Sequence, residues 1–202
     1  MPLWLARDPL VLASRSAARR AMLQAAGIPI EIVAADIDER GIESRAAPPN
    51  AHEAAQLLAR EKAKAITAKL PGRFVIGADQ TLALGRARFT KPADRATAYE
   101  QLRTLSGRTH ELHSAVAVGR DGRIIFSHVD VAKLSMRALS DRFLDNYLDT
   151  AGSTVLHSVG GYQLEKLGAH LFERIEGDYF TILGLPLLPL LTFLRREGCL
   201  AS

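Results

Sequence analysis

The chain has 202 residues, 48% hydrophobic and 24% charged, which is the balance of a soluble globular protein and excludes a disordered chain, a collagen and a coiled coil. The longest uncharged stretch, Tyr179 to Leu194, is broken by Gly184, Pro186 and Pro189, so a polytopic membrane protein is excluded too. Lys plus Arg number 26 against 22 for Asp plus Glu; the net charge of +4 points to an anionic partner without distinguishing nucleic acid, a phosphorylated small molecule or an acidic membrane.

In chain order, Leu10 to Ala13 is a short apolar run that reads as a buried strand. Ala17 to Ala26 is rich in helix formers and stops at Gly27, a natural C-terminal stop. Ile30 to Ala34 reads as a second strand. Asn50 to Lys69 is the clearest helix, with Asn50 and Glu53 spaced as a capping box and Pro71-Gly72 ending the pattern. Phe74 to Leu84 begins as an apolar strand, and Asp94 is placed to cap a helix reaching about Leu105. His110 to Val118 and Ile124 to Met136 flank Arg120-Asp-Gly-Arg123, the signature of a long hairpin. Ser140 opens a helix to about Asp149, a strand is expected near His170 to Ile175, and a last helix runs from about Pro186 to Glu197. With no repeat and no linker-like stretch, we expect one domain over residues 1–202: an α/β fold with a central mixed β-sheet flanked by helices.

Three groups of residues could carry chemistry. In Leu12-Ala-Ser-Arg-Ser-Ala-Ala-Arg-Arg20, a strand ends, hydroxyls follow and a helix starts with two arginines. Free N–H groups, hydroxyls and guanidinium groups at such a point suit a phosphate. The plainer reading makes Ser16 a helix cap and the arginines solvated. In Gly77-Ala-Asp-Gln-Thr81, a carboxylate follows five small or apolar residues, at a place in a strand where α/β proteins gather ligands. Gly77 and Ala78 are expected to leave room for a substrate beside Asp79, against the alternative of an aspartate capping a turn. Third, Asp36, Asp38 and Glu39 follow a strand and suit a hard cation such as Mg²⁺. Lys62 lies in mid-helix and Lys91 is held extended before Pro92. Each of these, taken alone, reads more readily as surface charge than as a ligand.

Other chemistries find no signature. There is no GxxxxGK[ST], GxGxxG or HExxH, and the six histidines show no ligand spacing on one helix. Aromatics make up 6% and do not interleave with the basic residues, which argues against a base-stacking platform and a stable nucleic-acid complex. Arg7 and Asp8 interrupt the opening residues before a signal-peptide core can form. Cys199, the single cysteine, cannot make an internal disulfide, so a cytoplasmic location is expected and no membrane association.

The order of these segments is specific. LVLASRSAARRAMLQAAGI, then DIDE at Asp36–Glu39, LAREKA at Leu58–Ala63 and VIGADQ at Val75–Gln80 occur in turn. KP at Lys91-Pro92, LSGRTH at Leu105–His110 and ERIEGDYFTILGLPL at Glu173–Leu187 complete the series. The chain thereby resembles, over nearly its whole length, the Maf family of nucleoside triphosphate pyrophosphatases, also called septum-formation inhibitors. The resemblance implies an α/β fold like that of the inosine triphosphatases. It also implies hydrolysis of a nucleoside triphosphate between its α and β phosphates, with a divalent cation, Mg²⁺ or Mn²⁺, and a homodimer. By position, Asp79 takes the place of the general base and Glu39 that of a metal-binding or water-positioning carboxylate, the two together holding the metal. Ser14, Arg19, Lys62 and Lys91 take the places of triphosphate ligands. Ala18, Gln80 and Glu165 occupy the positions that separate subgroups. Gln80 with Glu165 resembles the subgroup acting on 7-methyl-GTP, whereas the dTTP and UTP subgroup carries Thr and Gln. Ala18 departs from both, which carry Trp or Arg there. The family's older name keeps a second reading in view, a nucleotide- or nucleic-acid-binding regulator of cell division, and a pyrophosphatase for deaminated purines is a third.

Overall fold

The computed structural model describes residues 2–201. Among these residues lie seven strands: β1 (Leu10–Leu12), β2 (Ile30–Ile32), β3 (Val75–Leu84), β4 (Ala87–Phe89), β5 (Thr109–Arg120), β6 (Arg123–Met136) and β7 (Phe172–Glu176). They form one mixed sheet in the order β2-β1-β3-β5-β6-β7, with β4 paired to β3. β1 runs parallel to both β2 and β3, while β3–β4 and β6–β7 are antiparallel. The α-helices are α1 (Ala17–Ala25), α2 (Glu39–Ala46), α3 (Ala51–Thr67), α4 (Arg95–Leu105), α5 (Asp141–Ala151), α6 (Tyr179–Ile182) and α7 (Leu187–Arg196), with short 3-10 turns between α5 and β7. The expected α/β class with a mixed sheet is therefore what the chain adopts. None of the described helices is long and apolar enough to cross a membrane.

By internal packing the chain divides into two compact units. The first comprises residues 1–80, 114–130 and 179–202; the second comprises 81–113 and 131–178. Three of the four boundaries fall inside β3, β5 and β6, and the fourth falls just before Tyr179.

In the first unit, strand alternation sorts the core onto two faces of the sheet. Leu10, Leu12, Ile76, Ala78, Val116 and Val118 pack with Met22 and Leu23 of α1 and with Leu190, Phe193 and Leu194 of α7. On the opposite face, Val11, Ala13 and Val75 meet Ile66 of α3, and Ala115 and Ala117 meet Ala55, Ala59 and Ala63. Three alanines spaced by four along α3 make a flat stripe, so the helix settles close to the strands.

In the second unit, α4 and α5 are capped by Asp94 and Ser140, as their sequences predict. His110 is fully buried against Tyr162 and Phe172, with Nε2 2.7 Å from the Tyr162 hydroxyl. Burial lowers the His110 pKa to about 4, so the imidazole is neutral at ordinary pH.

α2, β4 and α6 show no hydrophobic period in the sequence that predicts them. α2 buries no residue, so no apolar period marks it; its one local signal is Asp38, whose Oδ1 accepts from Gly41 N at 2.9 Å. β4 is three residues long after a Gly85-Arg86 turn, and α6 is a single turn, both too short to leave a period.

Candidate active site

Seven of the nine residues matched to family positions lie in the first unit, and they centre on the end of β1 and the middle of β3. Asp79 stands inside β3, 8% exposed, and does not cap a turn. Lys62, on α3 and 9% exposed, places Nζ 2.7 Å from Asp79 Oδ1 and 2.9 Å from Glu39 Oε1. One ammonium therefore joins two carboxylates, and the trio carries a net negative charge facing a side that is open at Glu39, whose side chain is 49% exposed. Glu39 opens α2, so the cap at Asp38 fixes the turn that carries it.

Gly77 explains how a lysine on a helix reaches a strand. Gly77 and Asp79 are two residues apart and share a face of β3. A Cβ on Gly77 would overlap Ala59 O and lie 2.5 Å from Ala63 N. The space expected for a substrate is filled instead by the backbone of α3. That correction has a simple cause: the helix and strand touch backbone to backbone, and only glycine permits it.

In the segment after β1 the plainer reading holds for Ser16 and Arg20 but not for Arg19. Ser16 is the N-cap of α1, and Arg20 is exposed. Arg19 is not a solvated charge. Its Nε donates to Gly184 O at 2.7 Å, and its Nη1 donates to Ala78 O at 2.9 Å and to Ser14 Oγ at 3.3 Å. Burial pulls its pKa below the ordinary arginine range, while the Asp79 and Glu39 carboxylates act the other way. These bonds leave Nη2 uncommitted on a guanidinium whose plane is fixed. Ser14 Oγ also accepts from Ser16 N at 3.2 Å, so the hydroxyl sits at the mouth of the α1 N-terminus.

Gln80 points to the other face of β3 from Asp79. Its Nε2 lies 2.9 Å from Ser114 Oγ, 2.9 Å from Ile182 O and 3.2 Å from Thr181 O. Ser114, Thr181 and Gly184 were not singled out in the sequence; only the fold brings them to Gln80 and Arg19. Ala18 is half-buried on α1. Lys91, exposed in the loop after β4, and Glu165, exposed in a turn before β7, belong to the second unit.

Among the described residues no group of three or more His, Cys, Asp and Glu comes together as a cation cage. The donors present are the two carboxylates on Lys62. Mg²⁺ is commonly held by one or two carboxylates with the remainder of its shell supplied by water and substrate phosphate, and that pattern fits Asp79 and Glu39.

Known proteins resemble this chain end to end. It is 58% identical over 201 residues to the nucleoside triphosphate pyrophosphatase of Bradyrhizobium diazoefficiens (strain JCM 10833 / BCRC 13528 / IAM 13628 / NBRC 14792 / USDA 110), covering 100% of both chains. It is 50% identical over 193 residues to a protein of Brucella abortus biovar 1 (strain 9-941) named 7-methyl-GTP pyrophosphatase, covering 95% of this chain and 97% of that one. The solved structure of a HAM1 protein from Coxiella burnetii aligns with a TM-score of 0.49 and 16% identity, over 93% of this chain and 98% of that one. Residues 9–197 match the family described as Maf-like protein, and the chain belongs to that family.

Proposed function

We propose that the protein is a nucleoside triphosphate pyrophosphatase that cleaves the α–β phosphoanhydride, giving a nucleoside monophosphate and pyrophosphate. The observation that carries this reading is the buried Lys62 ammonium joined to both Asp79 and Glu39, beside a guanidinium held rigid at Arg19. The names of full-length relatives support it.

A triphosphate carries about four negative charges near neutrality, so cations must offset it before water can approach phosphorus. Arg19 offers a fixed Nη2 edge, Ser14 a hydroxyl, and the α1 N-terminus free N–H groups at the same end of β1. Asp79 is the base: it orients the attacking water and takes its proton as the anhydride oxygen departs with pyrophosphate. Lys62 holds Asp79 in place and aims it, and Glu39 completes the water-positioning pair. Asp79 and Glu39 would hold a divalent cation, which when bound offsets phosphate charge and polarises the water. Lys91 is proposed as a further triphosphate ligand.

For the base, we propose a guanine carrying the 7-methyl group. The Gln80 and Glu165 pair and the name of the Brucella relative support it. A carboxylate at Glu165 accepts from the amide and amino groups of guanine and favours a cationic ring. Pyrophosphate release from dTTP, UTP, CTP, GTP, 7-methyl-GTP and ITP, with Mg²⁺ or Mn²⁺, tests both levels. Turnover is expected, highest on 7-methyl-GTP. Silence of the folded protein on every nucleotide would overturn the activity, and preference for dTTP or UTP would overturn the base.

A further inference from the structure

Arg19 owes its fixed plane to two carbonyls, and they differ in how firmly they are held. Ala78 O belongs to a central strand. Gly184 O belongs to the turn after α6, a helix of four residues. What anchors that turn is Thr181 O, on which three donors converge: Gly184 N at 3.0 Å, Gln80 Nε2 at 3.2 Å and Ser114 Oγ at 2.7 Å. Ser114 is fully buried on β5 and is the hub, since its hydroxyl donates to Thr181 O and accepts from Gln80 Nε2 at 2.9 Å. Gly184 sits at φ +94°, and a Cβ there would lie 3.4 Å from Arg19 Nη2 and 3.6 Å from Gln80 Cδ. The turn, the amide and the guanidinium are thus packed on one another.

We infer that Ser114 is a positioning residue for Arg19, acting through the Thr181–Gly184 turn, and that Gln80 serves the same turn with its amide. The inference rests on the reading of Arg19 as a triphosphate ligand. Ser114 touches no reacting atom. Without its hydroxyl, Thr181 O loses its shortest donor and Gln80 Nε2 loses an acceptor. Gly184 O then drifts from Arg19 Nε, and the guanidinium must be ordered anew each time an anion binds, which costs affinity rather than chemistry. The same geometry gives Gln80 a route to substrate preference that needs no contact with the base: its amide sets where the α6 turn lies.

The experiment is a double-mutant cycle read by calorimetric binding of inorganic tripolyphosphate, which has no base, at fixed ionic strength. Wild type, Ser114→Ala, Arg19→Ala and the double variant are compared. Each single change is expected to weaken binding about tenfold, and the double variant to bind within about twofold of Arg19→Ala alone. In turnover, Ser114→Ala is expected to raise KM with kcat nearly unchanged. Undiminished binding by Ser114→Ala, or effects that multiply in the double variant, would overturn the inference while leaving Arg19 as a ligand. Undiminished binding by Arg19→Ala would overturn the reading of Arg19 itself and the inference with it. If Ser114→Ala does not fold, Gln80→Met, which keeps the length and removes the amide donors, takes its place in the cycle: weakened, non-multiplying binding supports the inference, and undiminished or multiplying binding overturns it.

Discussion

Lys62 Nζ stands 2.7 Å from Asp79 Oδ1 because Gly77, two residues before the aspartate, lets the backbone of α3 lie directly on β3. The alanine stripe at Ala55, Ala59 and Ala63 brings the helix in, and the glycine removes the last obstacle. Adding one methyl has a defined consequence. Gly77→Ala is expected to force α3 outward, at about 1–3 kcal/mol of stability, and to part Lys62 from Asp79. Urea denaturation gives the first effect and turnover the second, with loss of activity well beyond the loss of folded protein. A variant of unchanged stability and activity would contradict the packing account.

The ion pair itself is expected to be costly to break from one side. Lys62→Met leaves two carboxylates near each other, one of them buried, at about 3–5 kcal/mol. Removing the second charge recovers part of that: Lys62→Met with Asp79→Asn is expected to be more stable than Lys62→Met alone, as read by denaturation midpoints. The double variant is expected to be inactive all the same.

Much of this was legible in the residues, for reasons that differ by element. α3 shows itself because Asn50 and Glu53 are spaced as a capping box, with Asn50 Oδ1 accepting from Glu53 N, and because Pro71-Gly72 ends the pattern. Asp79 shows itself because a charge directly after Phe74-Val-Ile-Gly-Ala78 needs a reason. The glycine before it was legible as a place for something to approach, but a strand of sequence does not say whether ligand or helix fills the gap. Ser114 and Gly184 were silent, since a serine in an apolar strand and a glycine after a short helix become meaningful only when β5 and α6 are brought to Gln80. α2 was silent because its eight residues bury nothing.

That last helix yields a local prediction. Asp38→Ala removes the cap of α2 at about 1 kcal/mol. Since α2 has no buried residue, the global denaturation midpoint is expected to stay nearly fixed, while Gly41 N exchanges its proton faster and turnover falls through Glu39. Hydrogen exchange of the Gly41 amide checks it. Unaltered exchange with unaltered turnover would separate the cap from the placement of Glu39.

In the second unit, His110 predicts an acid sensitivity. Its pKa is lowered to about 4 in the fold against an ordinary value of 6.5, so the unfolded chain binds the extra proton first. Stability is therefore expected to fall as pH drops from about 6.5 to 4, by up to about 3 kcal/mol, and to be insensitive to this group above that window. His110→Gln, which keeps a hydrogen-bonding group for the Tyr162 hydroxyl, is expected to flatten the slope. Equal slopes for the two proteins between pH 6.5 and 4 would assign the acid sensitivity elsewhere.

We propose that Asp79 acts on water while its neighbours hold the triphosphate. The most direct measurement pairs pyrophosphate release with tripolyphosphate binding in Asp79→Asn. Turnover is expected to fall by at least about 10²-fold, with binding within a few-fold of wild type. Near-wild-type turnover in that variant would contradict it.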